Sequence, residues 1–354
     1  MSRHYFTFAA AAAAALMAFG PAAEAQTVLR YAEYSGSEGI RPESLRWFDE
    51  QLRARTDGRY AMQIHWAGSL LGARDIYSGV RDGVADMGVA SAAYTPQELY
   101  ASTVADVPEF PVDFYGGTRA LLDFLTSDPE AQMFMEDANI VPVSLFPSGP
   151  FQLLCNGDVN GLDDLAGKRI RGVASMIPVI NGVGASLVSL PITESFQALD
   201  SGLIDCTATF DVSIRAYRQH EAVTRYVEIN YGNLSSNILA INKDIFESMA
   251  AEDQEILLQL GRDYIDDYSA RIAAESAAIR ETMRTGAEGP EVTFVQLSDE
   301  EHARIIELAA EYTDGWRTQA GNAGIRDPQA MLDRWLVVRE RHHAQIEAEG
   351  YPWD

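Results

Sequence analysis

The stretch Gly161-Leu-Asp-Asp-Leu-Ala-Gly-Lys-Arg-Ile-Arg171 runs from a turn into a short strand, read over residues 168–173, and brings Arg171 to the strand's far end. Its neighbours repeat the theme. Apolar runs at 141–146, 151–155 and 204–210 read as strands, and helical patterns at 176–183 and 194–200 lie between them. Such alternation implies an α/β fold with a mostly parallel sheet covered by helices. Open sheets of this kind bind ligands beyond the carboxyl ends of their strands. Arg171 is placed there, and its planar guanidinium can grip a carboxylate through two parallel hydrogen bonds.

Working outward, the same alternation appears upstream. Strands are expected at 28–32, 60–66 and 85–90, with helices at 42–56 (Leu45, Phe48 and Leu52 on one face) and 74–82. The Gly149-Pro150 dipeptide marks one crossover between domains, and the turn-rich segment within 230–241 marks a second. Two crossings make the first domain discontinuous, the plan of a hinged binding protein. Residues 26–148 plus roughly 239–265 form lobe 1, and residues 149–238 form lobe 2. From 251 to 284 there is no Pro, and Ile256, Leu260, Tyr264, Tyr268 and Ile272 recur every four residues. That pattern predicts one long helix across both lobes, the alternative being two helices broken near Gly261. Further helices fill residues 299–354.

Composition narrows the function. The 354 residues carry 27 Lys+Arg against 52 Asp+Glu, a net charge of −25. That balance excludes a broad nucleic-acid surface and disfavours docking on anionic lipid. Residues 1–25 read as a cleavable secretory signal: Arg3 and His4, an apolar run over 6–19, Pro21, then Ala23-Glu24-Ala25. The run is too short for a membrane anchor, and no later segment is apolar enough to insert. An acidic mature chain behind such a signal fits a periplasm, where disulfides form. Cys155 and Cys206 are therefore either bridged or two buried thiols. No H-E-x-x-H, G-x-S-x-G, C-x-x-C or P-loop motif is present. Gly182-Val183-Gly184 lacks the third glycine of a dinucleotide fingerprint, with Leu187 in its place. Adjacent His342 and His343 point to different sides of a helix, so no metal and no cofactor is expected.

The opening stretch, with Gly184-Ala185-Ser186, Leu190-Pro191, Glu194, Ala198-Leu199, Gly202 and Ile204-Asp205, resembles the solute receptors of tripartite ATP-independent periplasmic (TRAP) transporters, the DctP-like family. Arg30-Tyr-Ala, Gly68-Ser-Leu-Leu-Gly72, Val80-Arg-Asp-Gly-Val-Ala-Asp-Met87 and Ala240-Ile-Asn-Lys-Asp-Ile-Phe246 extend the likeness in colinear order. The resemblance implies a two-lobed periplasmic binding protein of the type II-like class, with hinge crossovers and a helix spanning both lobes. It implies a receptor that closes on a small organic acid and delivers it to the membrane permease. It puts Arg171 on the ligand carboxylate. Phe151 stands where many acid-binding relatives have a second Arg, which disfavours dicarboxylates and favours a monocarboxylate with an apolar, aromatic or zwitterionic body. By the same carry-over Thr209, Phe210, Glu33, Ser91, Tyr94, Trp66 and Arg74 line the cleft. A periplasmic hydrolase or isomerase using Glu33 or Asp211 as its base is the alternative.

Overall fold

The computed structural model describes residues 26–353 apart from Asn233 and Ser235, so the signal read at 1–25 lies outside the described residues. In chain order the strands are β1 (Thr27–Ala32), β2 (Tyr60–His65), β3 (Met87–Ser91), β4 (Ile140–Leu145), β5 (Phe151–Cys155) and β6 (Arg169–Arg171). They continue with β7 (Ser186–Val188), β8 (Cys206–Thr209), β9 (Arg225–Tyr231), β10 (Asn237–Asn242) and β11 (Thr293–Gln296). Two sheets result. One has the order β2-β1-β3-β10-β4 and builds lobe 1; the other, β11-β9-β5-β8-β6-β7, builds lobe 2. The chain passes from β4 to β5 through residues 146–150 and returns from β9 to β10 through residues 232–236.

The sheets are mixed rather than mostly parallel. β1 runs parallel to β2 and β3, and β6 parallel to β7 and β8. The two strands that enter straight from a crossover run the other way: β10 is antiparallel to β3 and β4, and β5 is antiparallel to β8 and β9. Apolar patterning reveals that a strand exists, not its direction. A strand arriving from the opposite lobe has no β-α-β connection to impose parallel pairing.

In lobe 2 the pleat sends Phe151, Leu153 and Cys155 into one apolar cluster and Leu154 into the cluster on the opposite face. Burial on both faces explains the unbroken apolar run read from the sequence. Cys155 and Cys206 pair directly across β5 and β8 and form a disulfide.

The long helix is continuous over Ala251–Thr285. At about 1.5 Å per residue this is roughly 50 Å of rod. Leu257, Leu260, Tyr264, Tyr268 and Ile272 belong to the lobe 1 core, and Ile279 and Met283 to a lobe 2 cluster. Gly261 does not break it. A Cβ there would sit 1.8 Å from the Val143 carbonyl oxygen of β4, and the Ser144 hydroxyl donates to the Gly261 carbonyl at 2.6 Å. The glycine lets helix and sheet backbones touch. Gly-to-Ala in an exposed helix interior typically adds up to about 1 kcal/mol of stability; here the sign reverses. Gly261→Ala is expected to cost about 1–3 kcal/mol through overpacking, read as a lower urea midpoint. An unchanged or higher midpoint refutes the contact.

The second crossover is equally tight, since a Cβ on Gly232 would lie 1.5 Å from the Glu109 carbonyl oxygen. The Glu109 side chain is half-buried beside Arg339 and His343 of the helix Pro328–Glu349, each at 3.5 Å. Burial pushes its carboxyl up to about 7, against the pull of Arg339 and with help from Asp113 and Glu340. Unfolded, the group loses its proton near 4.5. The folded state therefore binds more protons between those values, and its stability falls as pH rises from about 4.5 through about 7. Glu109→Gln is expected to flatten that fall. Urea midpoints of both proteins at pH 5 and pH 8 check it; an equal drop in each assigns the fall elsewhere.

Candidate functional site

Between the lobes lies a cavity of about 70 Å³. A single water needs roughly 10–15 Å³ on this measure, so the space suits a small organic molecule. Lobe 1 contributes Tyr34, Arg41, Ser91, Tyr94 and Phe146; lobe 2 contributes Phe151, Arg171, Phe210 and Tyr217; Tyr268 reaches in from the long helix. Tyr94 also ties the lobes together, because its hydroxyl accepts the Ile192 backbone N–H at 3.2 Å.

Arg171 ends β6, as expected, and is only 4% exposed. Its Nε donates to the Leu190 carbonyl at 3.2 Å and its Nη1 to the Ala208 carbonyl at 3.0 Å. Those carbonyls fix the guanidinium without neutralising it. No carboxylate of the described residues forms an ion pair with it, and burial lowers its pKa despite the hydroxyls of Tyr94 and Tyr34 nearby. A desolvated, uncompensated cation in a cavity attracts an anion. At an effective dielectric near 20 and about 4 Å, one carboxylate gains roughly 4 kcal/mol before desolvation. The −25 of the whole chain is mostly beyond a Debye length of about 8 Å and screened.

Phe151 and Phe210 form one wall, ring centroids 4.1 Å apart and planes at 34°. Ser91 and Tyr94 also line the cavity. The other expected residues do not. Thr209 is fully buried in β8, off the cavity, and its hydroxyl has no partner among the described residues. Trp66 packs against the lobe 1 core under the Arg46 guanidinium. Arg74 lines a separate groove that adjoins the cavity at Tyr34, Ala216 and Tyr217.

Glu33 departs furthest from expectation. It is fully buried, absent from the cavity wall, and held by Arg41 at 3.1 Å and by the Ser35 amide at 2.9 Å. Burial opposes the charge on Arg41, but Glu33 and the surrounding tyrosines raise its pKa well above the usual value. Asp211 is likewise engaged, accepting from the Tyr226 hydroxyl at 2.5 Å and from Arg280 Nε at 2.7 Å. Neither carboxylate is placed as a free base. Sequence reading missed Arg41, Tyr217 and Phe146. Arg41 sits in the first turn of the helix Ile40–Arg55, just before Pro42, and nothing in the helical pattern says that this turn faces a second lobe.

The family described as "Bacterial extracellular solute-binding protein, family 7" matches residues 32–319. The chain belongs to this family. A protein from Ruegeria pomeroyi, named as an ectoine/5-hydroxyectoine-binding periplasmic protein, is 23% identical over 329 residues, covering 90% of this chain and 94% of its own length. Among solved structures, a marine metagenome TRAP solute-binding protein in complex with 3-hydroxybenzoate superposes with a TM-score of 0.79 at 20% identity, covering 90% of this chain and 99% of that one. A TRAP protein from Desulfovibrio salexigens with bound orotic acid gives 0.77 at 18%, covering 89% and 99%. Likeness at that identity carries the two-lobed fold. As a family 7 member the chain is a TRAP-type solute-binding receptor of a periplasmic family, and not an enzyme. Among the described residues no helix is long and apolar enough to cross a membrane.

Proposed function

We propose that this receptor binds a small monocarboxylate with an apolar or aromatic body, closes its lobes on it, and hands it to a membrane permease after export through the signal at residues 1–25. The observation that carries the reading is Arg171: buried, unpaired with any carboxylate of the described residues, and lining one cavity with the Phe151/Phe210 pair. One uncompensated guanidinium suits one carboxylate. Aromatic walls reward a flat or apolar body, since stacked or tilted rings add to simple burial. The relatives complexed with orotic acid and 3-hydroxybenzoate hold ligands of this kind. A zwitterion with an ammonium group is less well served, because Glu33, the buried carboxylate beside the cavity, is already taken by Arg41, and Glu38, the carboxylate that lines the cavity, is exposed to water, which weakens its pull.

Closure needs a ligand that contacts both lobes, so that differential contact favours the closed form. Ligands of micromolar affinity would supply about −8 kcal/mol in total. A thermal-shift screen of aliphatic, aromatic and dicarboxylic acids tests the reading, with native mass spectrometry to identify any copurified acid. Aromatic or branched monocarboxylates are expected to give the largest shifts. A dicarboxylate or an amino acid at the top of the ranking, with monocarboxylates silent, overturns it.

A further inference from the structure

We propose that Arg41 is the specificity-determining residue of lobe 1, reading a second hydrogen-bond acceptor on the bound acid. The inference rests on the carboxylate reading of Arg171 above. Arg41 lines the same cavity from the opposite lobe. Its guanidinium lies 3.9 Å from the Phe146 ring centroid and 4.9 Å from that of Tyr34, so the group is held flat between aromatic rings.

Donor accounting shows what is left over. Arg41 Nε donates to Glu33 Oε2 at 3.3 Å, and Nη2 donates to both carboxylate oxygens at 3.1 Å. Nη1 meets only the Tyr34 hydroxyl, at a long 3.4 Å. A guanidinium has five N–H groups, two of them on Nη1. At least one N–H on Nη1 therefore lacks an acceptor among the described residues, on a guanidinium that lines the cavity. Groups of that kind discriminate sharply, because a ligand without the matching acceptor leaves a buried donor unmade.

Charge decides what the partner is. Glu33 cancels Arg41, so the second contact calls for a neutral acceptor such as a hydroxyl, ether or carbonyl oxygen rather than a second carboxylate. Since Arg171 belongs to lobe 2 and Arg41 to lobe 1, an acid reaching both is complete only between closed lobes. The same contact that selects the ligand thus shifts the population toward closure.

The test pairs benzoate with 3-hydroxybenzoate in calorimetry. The protein is expected to prefer 3-hydroxybenzoate by about tenfold or more, as befits a hydrogen bond to a charged group. Removing Arg41 alone strands a buried Glu33, so the informative variant is the charge-neutral pair Glu33→Gln with Arg41→Met. It is expected to bind both acids more weakly than the parent and to lose the preference between them. Arg41→Lys keeps the ion pair but lacks the second arm, and it too must lose the preference. A folded variant of either kind that still prefers 3-hydroxybenzoate overturns the assignment, as does a parent protein that binds both acids equally. Those outcomes spare the reading of Arg171. A parent that binds neither acid nor any other carboxylate refutes both.

Discussion

Arg171→Met is expected to abolish carboxylate binding while the protein stays folded. Two hydrogen bonds from a guanidinium to a carboxylate are worth about 1.5–3 kcal/mol each, and every 1.4 kcal/mol is tenfold in affinity. The loss is therefore at least about 100-fold in calorimetry. Stability should change little. The Leu190 and Ala208 carbonyls lose their donor, which destabilises. A buried cation whose charged form is already disfavoured disappears at the same time, which offsets that cost. Arg171→Lys separates charge from shape: it keeps the charge but cannot form the paired contact, so its affinity should fall between the two. A folded Met variant that binds within threefold of the parent would sink the role.

Loss of the disulfide should give the largest change in stability. Cys155 and Cys206 are 51 residues apart in sequence and directly opposite on neighbouring strands. Closing a loop of that length removes unfolded-state entropy worth about 4 kcal/mol in the loop-entropy model. Both sulfurs are buried in the core of lobe 2, so the substitution Cys155→Ala with Cys206→Ala also leaves a small void, and the two effects add. Urea denaturation under oxidising conditions should show a deficit of a few kcal/mol. Dithiothreitol should lower the parent toward the variant and leave the variant unmoved. A parent indifferent to reductant throughout its transition would mean that the bridge contributes nothing to folding.

Much of this was legible in the chain because it depends on local chemistry. Alternating apolar runs announced strands and helices, and Gly-Pro punctuation announced the first crossover. The four-residue recurrence from Ile256 to Ile272 announced a helix long enough to join two lobes. Arg171 could be placed at the end of β6 because a strand's final residue has a predictable place in an open sheet, and the family resemblance singled it out for a ligand. Strand direction was not legible. β5 and β10 carry the same apolar pattern whichever way they run, and their antiparallel pairing follows from entering each sheet through a hinge. The role of Gly261 was also hidden, since a glycine in a helix looks the same whether it loosens the helix or admits a neighbouring carbonyl.

The sequence by itself indicated a two-lobed α/β receptor of net acidic charge in which a guanidinium ends a strand. Tertiary structure alone decided which charges are available. Glu33 and Arg171 each follow or end a strand, and each could face a ligand on sequence grounds. Only when the helix Ile40–Arg55 packs against β2 and the long helix does Arg41 come within 3.1 Å of Glu33 and neutralise it, leaving Arg171 without a carboxylate partner among the described residues. The physical reason is range. Whether an ionised side chain is paired depends on a partner within a few ångströms in space, and that distance is set by packing between elements rather than by spacing along the chain.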